Sequence, residues 1–292
     1  MDLALQYIVN GITAGSLYAL VALGIVLLYR ISRVLNFAHG DMAALGTLVA
    51  YTLVAEVGLP FGAGAAAGVA AAAALAALFY LSVLRHAREA SPLGQSVMTL
   101  GLALLLSGAA VVIWGTDIKA MPFPLSAARV YGVGPVVASE LHIGSTLAAG
   151  LLMAALYWAV ERSPWGLAMR AISQDPVAAR LLGVRSRRVL AAGWALSAAL
   201  GAVAGLLLAP VTLLDPFFML NPFLKGFAAA VMGGLDSPPG AVVGGVVLGV
   251  LESLLAGYAS VAFKSTLAFA LIVLVLMVRP EGLLRREFKR RV

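Results

Sequence analysis

Apolar stretches recur along almost the whole of this chain, and most exceed the roughly 18 residues that mark a membrane-crossing helix. They cover residues 7–29, 34–57, 61–84, 93–114, 143–160 and 190–210; the last third holds a short run, 223–235, followed by 240–258 and 261–278. The residues in each run are continuously apolar, whereas a barrel strand alternates over about ten residues. A backbone in hydrocarbon must satisfy its own polar groups, and helices do this within one segment. The expected fold is therefore all-α, a polytopic membrane helical bundle forming one transmembrane domain over residues 1–292. With 62% hydrophobic and 11% charged residues, the chain has too little polar surface to cover a soluble core of its size.

The net charge is +7 and the pI about 10.0, values that elsewhere suggest nucleic acid. Here the basic residues sit in short clusters between apolar runs, with no arginine-rich face or series of base-stacking aromatics, so no nucleic-acid partner is expected. Membrane orientation accounts for them better. Residues 161–189 carry Arg162, Arg170, Arg180, Arg185, Arg187 and Arg188, and the tail 279–292 is equally basic, which assigns both to the cytoplasm. The links holding Arg30 and Arg33, and Arg85 and Arg88, fall on the same side if every run crosses once. The N-terminus, the loop 115–142 and the loop 211–221 then lie outside. Parity requires 223–258 to enter and return around the turn Asp236-Ser237-Pro238-Pro239-Gly240, giving eight or nine spans; whether 223–235 crosses fully is left open. The start, MDLALQYIVNG, lacks the basic flank of a cleaved signal peptide, so the first run is expected to stay in the mature protein. Cysteine is absent and there are three histidines, which rules out disulfides and argues against a metal site.

Pairs of glycines four apart share one helix face and let backbones approach. Gly11 and Gly15, Gly64 and Gly68, and Gly201 and Gly205 are such pairs. The doubled series Gly240, Gly244, Gly245 and Gly249 predicts the closest helix crossing.

Between residues 164 and 189 the chain reads PWGLAMRAISQDPVAARLLGVRSRRV. Asp175 suits an N-cap, Pro176 the first helical position, and Gly183 the left-handed position beyond a helix end. These three delimit a short helix outside the membrane. Ala178 and Ala179 leave one side of it small enough to enter another protein's groove; a solvated loop helix touching only its own bundle is the other reading.

Ala178-Ala179-x-x-x-Gly183 resembles the EAA signature of bacterial importer permeases, the segment that docks on the ATPase subunit. The wider run Gly166-x-x-x-Arg170-Ala171-x-x-x-Asp175 is similar to the version in branched-chain amino acid permeases of the LivH type. GSLYALVALGIVLLYR from Gly15, VLNFAHGD from Val34, GFAAAVMGGLDSPPGAVVGGVVLGVLES from Gly226 and RPEGLL from Arg279 also resemble LivH-type segments, in the same order. One departure is Val177, where the general signature has Glu. The resemblance implies a fold like that of type II ABC importer permeases and coupling through Gly166, Arg170, Ala171, Asp175, Pro176, Ala178, Ala179 and Gly183. It implies as partners a LivM-type permease, LivG- and LivF-type ATPases and a substrate-binding protein. No Walker-type GxxxxGK[ST] loop is present, so the chain needs no cofactor of its own and ATP is hydrolysed by partner subunits.

Polar residues inside spans are costly and mark functional positions. Asn36, His39 and Asp41 open the second run: Asn36 serves as an N-cap near the surface, or the chain breaks there and a half-helix N-terminus faces the translocation pathway. Asn10, Thr13 and Ser16 form a weak polar stripe on the first span. Glu252 and Lys264 flank the outer end of the last hairpin, where Lys264 can snorkel. An ion-coupled secondary transporter or channel would use Asp41, His39 and Glu252 as a relay, but no internal repeat accompanies them. An enzyme is not expected: there is no HExxH, no GxSxG and no paired carboxylates at useful spacing.

Overall fold

In the computed structural model, the structure describes residues 2–87, 91–134 and 136–258, with positions 266, 270, 273, 274 and 277 besides. Among the described residues up to 258, ten helices form one bundle: α1 Asp2–Ser32, α2 His39–Tyr51, α3 Phe61–Phe79, α4 Pro92–Trp114, α5 Glu140–Arg162, α6 Pro164–Gln174, α7 Pro176–Leu181, α8 Ser186–Thr212, α9 Leu220–Gly233 and α10 Pro238–Tyr258. Helices α2 and α3 each run on into a five-residue π-helical turn, Thr52–Glu56 and Tyr80–Leu84. Several starts follow from local chemistry. Ser91 and Ser163 each cap a helix whose first residue is proline, accepting from Gly94 N at 3.1 Å and Gly166 N at 3.0 Å, and Ser139 caps α5 through His142 N.

Helix α1 is the central post. Its middle, from Ser16 to Leu28, is buried on all sides by α5, α8, α9 and α10, as expected of a helix apolar all round. Glycine sets how close its neighbours come. A Cβ on Gly249 would collide with the Gly15 backbone, one on Gly245 with Ala19, and one on Gly11 with Val250, so α1 and α10 meet backbone to backbone. The other side of α10 does the same to α9, where Gly240 and Gly244 lie against Gly233 and Ala229. Gly201 and Gly205 of α8 make room for His39 and Thr47 of α2, and Gly68 of α3 lies against the Gly46 carbonyl of α2.

Six helices among the described residues are long and apolar enough to cross a membrane: 3–32, 61–84, α4, α5, α8 and α10. The expected count of eight or nine is not reached among them. The run 34–57 splits into a non-helical link and a 13-residue helix with its π-helical turn, and all but the last two residues of 223–235 lie in α9, 14 residues or about 21 Å long. The expected last span, Lys264, Arg88 and the basic tail 279–292 lie outside the described residues, apart from the five positions named above. The fold also departs from all-α between α4 and α5, where β1 Val130–Val133 and β2 Val136–Ser139 form an antiparallel hairpin. The Gln6 side chain extends that ladder: its Nε2 donates to the Val137 carbonyl at 2.9 Å and its Oε1 accepts from Val137 N at 2.8 Å. This ties the start of α1 to the hairpin.

Candidate functional site

The segment from α5 to α8 builds a corner at the end of the bundle opposite the hairpin. Gly166 permits the turn, because a Cβ there would strike the Val160 carbonyl. Arg170 closes it: Nη1 donates to Val160 O at 3.1 Å and to Glu161 Oε2 at 2.9 Å, so the end of α5 and the body of α6 are pinned together. Ala171 is half-buried beside them. Asp175 Oδ1 then accepts from Val177 N at 2.8 Å and Ala178 N at 3.0 Å, Pro176 opens the six-residue α7, and Gly183 follows its end at φ +84°. Those two N–H groups hold the exposed Asp175 carboxyl below its ordinary range.

The side of α7 that faces outward is not the one the alanines suggested. Ala179 is 2% exposed and packs inside its own bundle, and Ala178 is half-buried. Small side chains here let α7 lie close on the chain itself. The open face carries Val177, Leu181 and Leu182, the last two each 84% exposed, with Arg180 beside them. Gly166 and Arg170 shape the corner from within.

Asn36, His39 and Asp41 are brought together in sequence but not into one polar surface. The chain does break before α2: Arg33 takes φ +58° and residues 33–38 are non-helical. The helix start nevertheless packs inward. His39 is fully buried against Gly24 and Gly201, with Nδ1 3.4 Å from Ser197 Oγ. Asn36 is not the N-cap; its Oδ1 accepts from Ala38 N at 3.1 Å, a local turn. Asp41 Oδ1 accepts from Ser107 Oγ of α4 at 2.6 Å. The broken backbone finds its partners on α4: Leu35 N donates to Ser96 Oγ at 3.1 Å, Phe37 N donates to Thr99 Oγ1 at 2.9 Å, and Thr99 Oγ1 donates to Leu35 O. Buried non-helical backbone is tolerated in a membrane only when satisfied this way. Thr13 is engaged with Thr146 of α5 at 3.1 Å and Ser16 with the Thr13 carbonyl, whereas Asn10 lines a cleft. Asn10 and Gly24, where His39 packs, are about 21 Å apart along α1, so the two expected groups do not form one site.

Residues 7–276 match the sequence model of a family described as "Branched-chain amino acid transport system / permease component". The chain belongs to this family. It is 33% identical over 294 residues to the high-affinity branched-chain amino acid transport system permease protein LivH of Escherichia coli K12, covering 97% of this chain and 96% of that one. It is 35% identical over 296 residues, with the same coverage, to the permease protein BraD of Pseudomonas aeruginosa. A probable LivH of Methanocaldococcus jannaschii is 28% identical over 305 residues, covering 99% of this chain and 95% of that one. Among solved structures, a chain of "PsaBC from Streptococcus pneumoniae in complex with Fab" superposes with a TM-score of 0.50 at 13% identity, covering 93% of this chain and 91% of that one, a likeness of fold alone.

This permease-family chain also holds a buried ionic cluster that the apolar-run reading passed over. Lys225 of α9 lies within the run 223–235, yet its Nζ is 2.5 Å from Glu252 Oε1 of α10 and 3.2 Å from the Tyr18 hydroxyl of α1. Glu252 is 2% and Lys225 8% exposed. A signal for the pairing was present: Lys225 lies 13 residues before Pro238 and Glu252 14 after it, so folding the hairpin at that turn sets opposite charges side by side.

Proposed function

We propose that this chain is one permease subunit of an ATP-driven importer of branched-chain amino acids, carried in the inner membrane with its N-terminus outside and residues 161–189 and 279–292 in the cytoplasm. The observation that carries this is the family match over residues 7–276, with relatives named for that transport along nearly their full length. Its partners are a second permease, two ATPases and a substrate-binding protein; the first pairs within the bilayer, and the last delivers substrate at the hairpin end. The chain has no nucleotide-binding loop, so it performs no hydrolysis and passes on the force that its ATPases supply.

The corner from α5 to α8 is suited to that transfer. Arg170 and Gly166 make α6 a rigid continuation of α5, and Ala179 seats α7 on the bundle, so a push on α7 moves the membrane helices that carry it. Val177, Leu181 and Leu182 then meet the ATPase. Burying a leucine stabilises a contact by about 1.5–3 kcal/mol. An ion-coupled carrier would leave this apolar face on a capped helix in water with nothing to cover it.

The test is the double variant Leu181→Asp, Leu182→Asp, expressed with the neighbouring transport genes. It should lose the co-purifying ATPases and leucine uptake while its own unfolding temperature stays at the wild-type value. Single cysteines at Ser126 and Ser186 of the cysteine-free chain should be labelled from opposite sides of the membrane. Wild-type ATPase retention and uptake in the double variant would refute the docking face, and labelling from one side the orientation.

A further inference from the structure

Two clefts at the hairpin end share Asn10 in their linings, and one of them reaches the buried ionic cluster. The first is lined by Gln6, Val130, Val137, Ser139 and His142 and ends at Asn10. Asn10 also lines the second, a cleft of about 380 Å³ of mixed polar and apolar lining between α1 and α10, with Tyr7, Ser253 and Ala256 as walls and Glu252, 2% exposed, at its floor. Tyr7 and Tyr258 meet edge to face at 5.6 Å beside it. Gln6 Nε2 donates to Asn10 Oδ1 at 3.0 Å, which fixes the Asn10 amide and keeps its N–H groups as donors. Behind the floor stands Lys225, with the Tyr18 hydroxyl as a second group on the ammonium.

A buried ion pair is a poor way to stabilise a membrane bundle, since apolar side chains of the same volume often do as well or better. It does suit one kind of cargo. A free amino acid enters as a zwitterion, neutral overall but needing an anion for its ammonium group and a cation or donors for its carboxylate. A Lys–Glu pair is likewise neutral when empty, and its carboxylate can take up a ligand ammonium while the lysine stays on it as the balancing cation. A carboxylate has about four lone-pair positions, so Glu252 can hold Lys225 and a ligand ammonium together. The backbone contact of Gly11 and Gly15 with α10 keeps the two walls at fixed separation, so the cleft is preformed.

We propose that Glu252, at the floor of the cleft between α1 and α10 and backed by Lys225, binds the ammonium group of the amino acid being transported, with Asn10 as a donor to its carboxylate. This rests on the proposed function for the class of ligand, and it adds the place and the polarity of binding.

The test uses the full-length chain, with the subunits that co-purify with it, in nanodiscs. Ala256→Cys places one thiol in the cleft wall of a chain that has no other cysteine. Leucine at about ten times its dissociation constant should slow labelling by a membrane-impermeant thiol reagent about tenfold. Leucine's decarboxylated form, 3-methylbutylamine, should protect as well, and its deaminated form, 4-methylpentanoate, should not. Glu252→Gln should abolish protection by both amines, and Asn10→Ala should weaken protection by leucine while leaving that by 3-methylbutylamine. Protection by 4-methylpentanoate alone, or by none of the three, overturns the proposal in the wild-type background, whether or not Glu252→Gln assembles. Undiminished protection in Glu252→Gln overturns it too. Failure of the permease reading shows elsewhere, as absence of ATPase co-purification and leucine uptake, so the two outcomes are separable.

Discussion

Helix α7 and helix α2 begin by opposite means. Helix α7 starts on Asp175, whose carboxylate takes the two N–H groups that follow it, and stops at Gly183; every group needed lies within nine residues of sequence. Helix α2 starts inside the bundle without a side-chain cap of its own, and the non-helical link before it is held by Ser96 and Thr99, more than sixty residues downstream. A helix in water has to carry its own punctuation, because water competes for every unsatisfied group. One that begins in a low-dielectric interior can borrow its partners from another span, and its boundary is then a property of the tertiary fold.

The comparison breaks most visibly at α4. The double variant Ser96→Ala, Thr99→Val leaves the Leu35 and Phe37 N–H groups without partners, each at about 1–3 kcal/mol. Its unfolding midpoint in detergent should drop well below that of wild type, with loss of monodisperse protein; an unchanged midpoint would mean that α2 is capped by other means. A smaller effect is expected at Gly183. Valine there meets a left-handed backbone at about 1–2 kcal/mol. Since Gly183 is exposed with open space around it, the damage should stay in α7: lower ATPase retention with a bundle midpoint near wild type. The smallest effect is the cap itself. The folded-state Asp175 carboxyl sits below its unfolded value, so the stability it contributes is present above the unfolded value and is lost as pH falls through the folded one. Amide exchange over residues 177–181, corrected for intrinsic rate, should lose protection on acidification below the ordinary Asp range, about 3.9. Asp175→Asn should remove that pH dependence; exchange that tracks pH equally in both variants would exclude the cap as its cause.

This contrast also accounts for what could be read in the sequence. Apolar runs 61–84, 93–114, 143–160, 190–210 and 240–258 each fall on a helix, since hydrocarbon demands continuous apolar length there. The ends of α7 were legible because they are local. The run 34–57 reads as one span by length, yet its polar residues Asn36, His39 and Asp41 also allowed a break, and a break is what forms; what stayed hidden is that the atoms making it tolerable belong to α4. Ala179 misled in another way: a small side chain permits close approach without saying which neighbour approaches, and here the neighbour is the chain's own bundle. Lys225 was hidden by an apolar average over its run, which is blind to a single charge whose counterion arrives only when the hairpin folds.

The interlocked glycines of α1 and α10 carry one more consequence. Where Gly11, Gly15, Gly245 and Gly249 let main chain rest on main chain, there is no layer of side chains to change rotamer and lubricate a slide. The Val246 and Val250 main chain already rests on Gly15 and Gly11, so sliding α10 along α1 would move side chains of either helix into space that backbone fills. The pair therefore behaves as a beam, which tilts as a whole or not at all, and whatever opens and closes in this bundle must shear along a different seam.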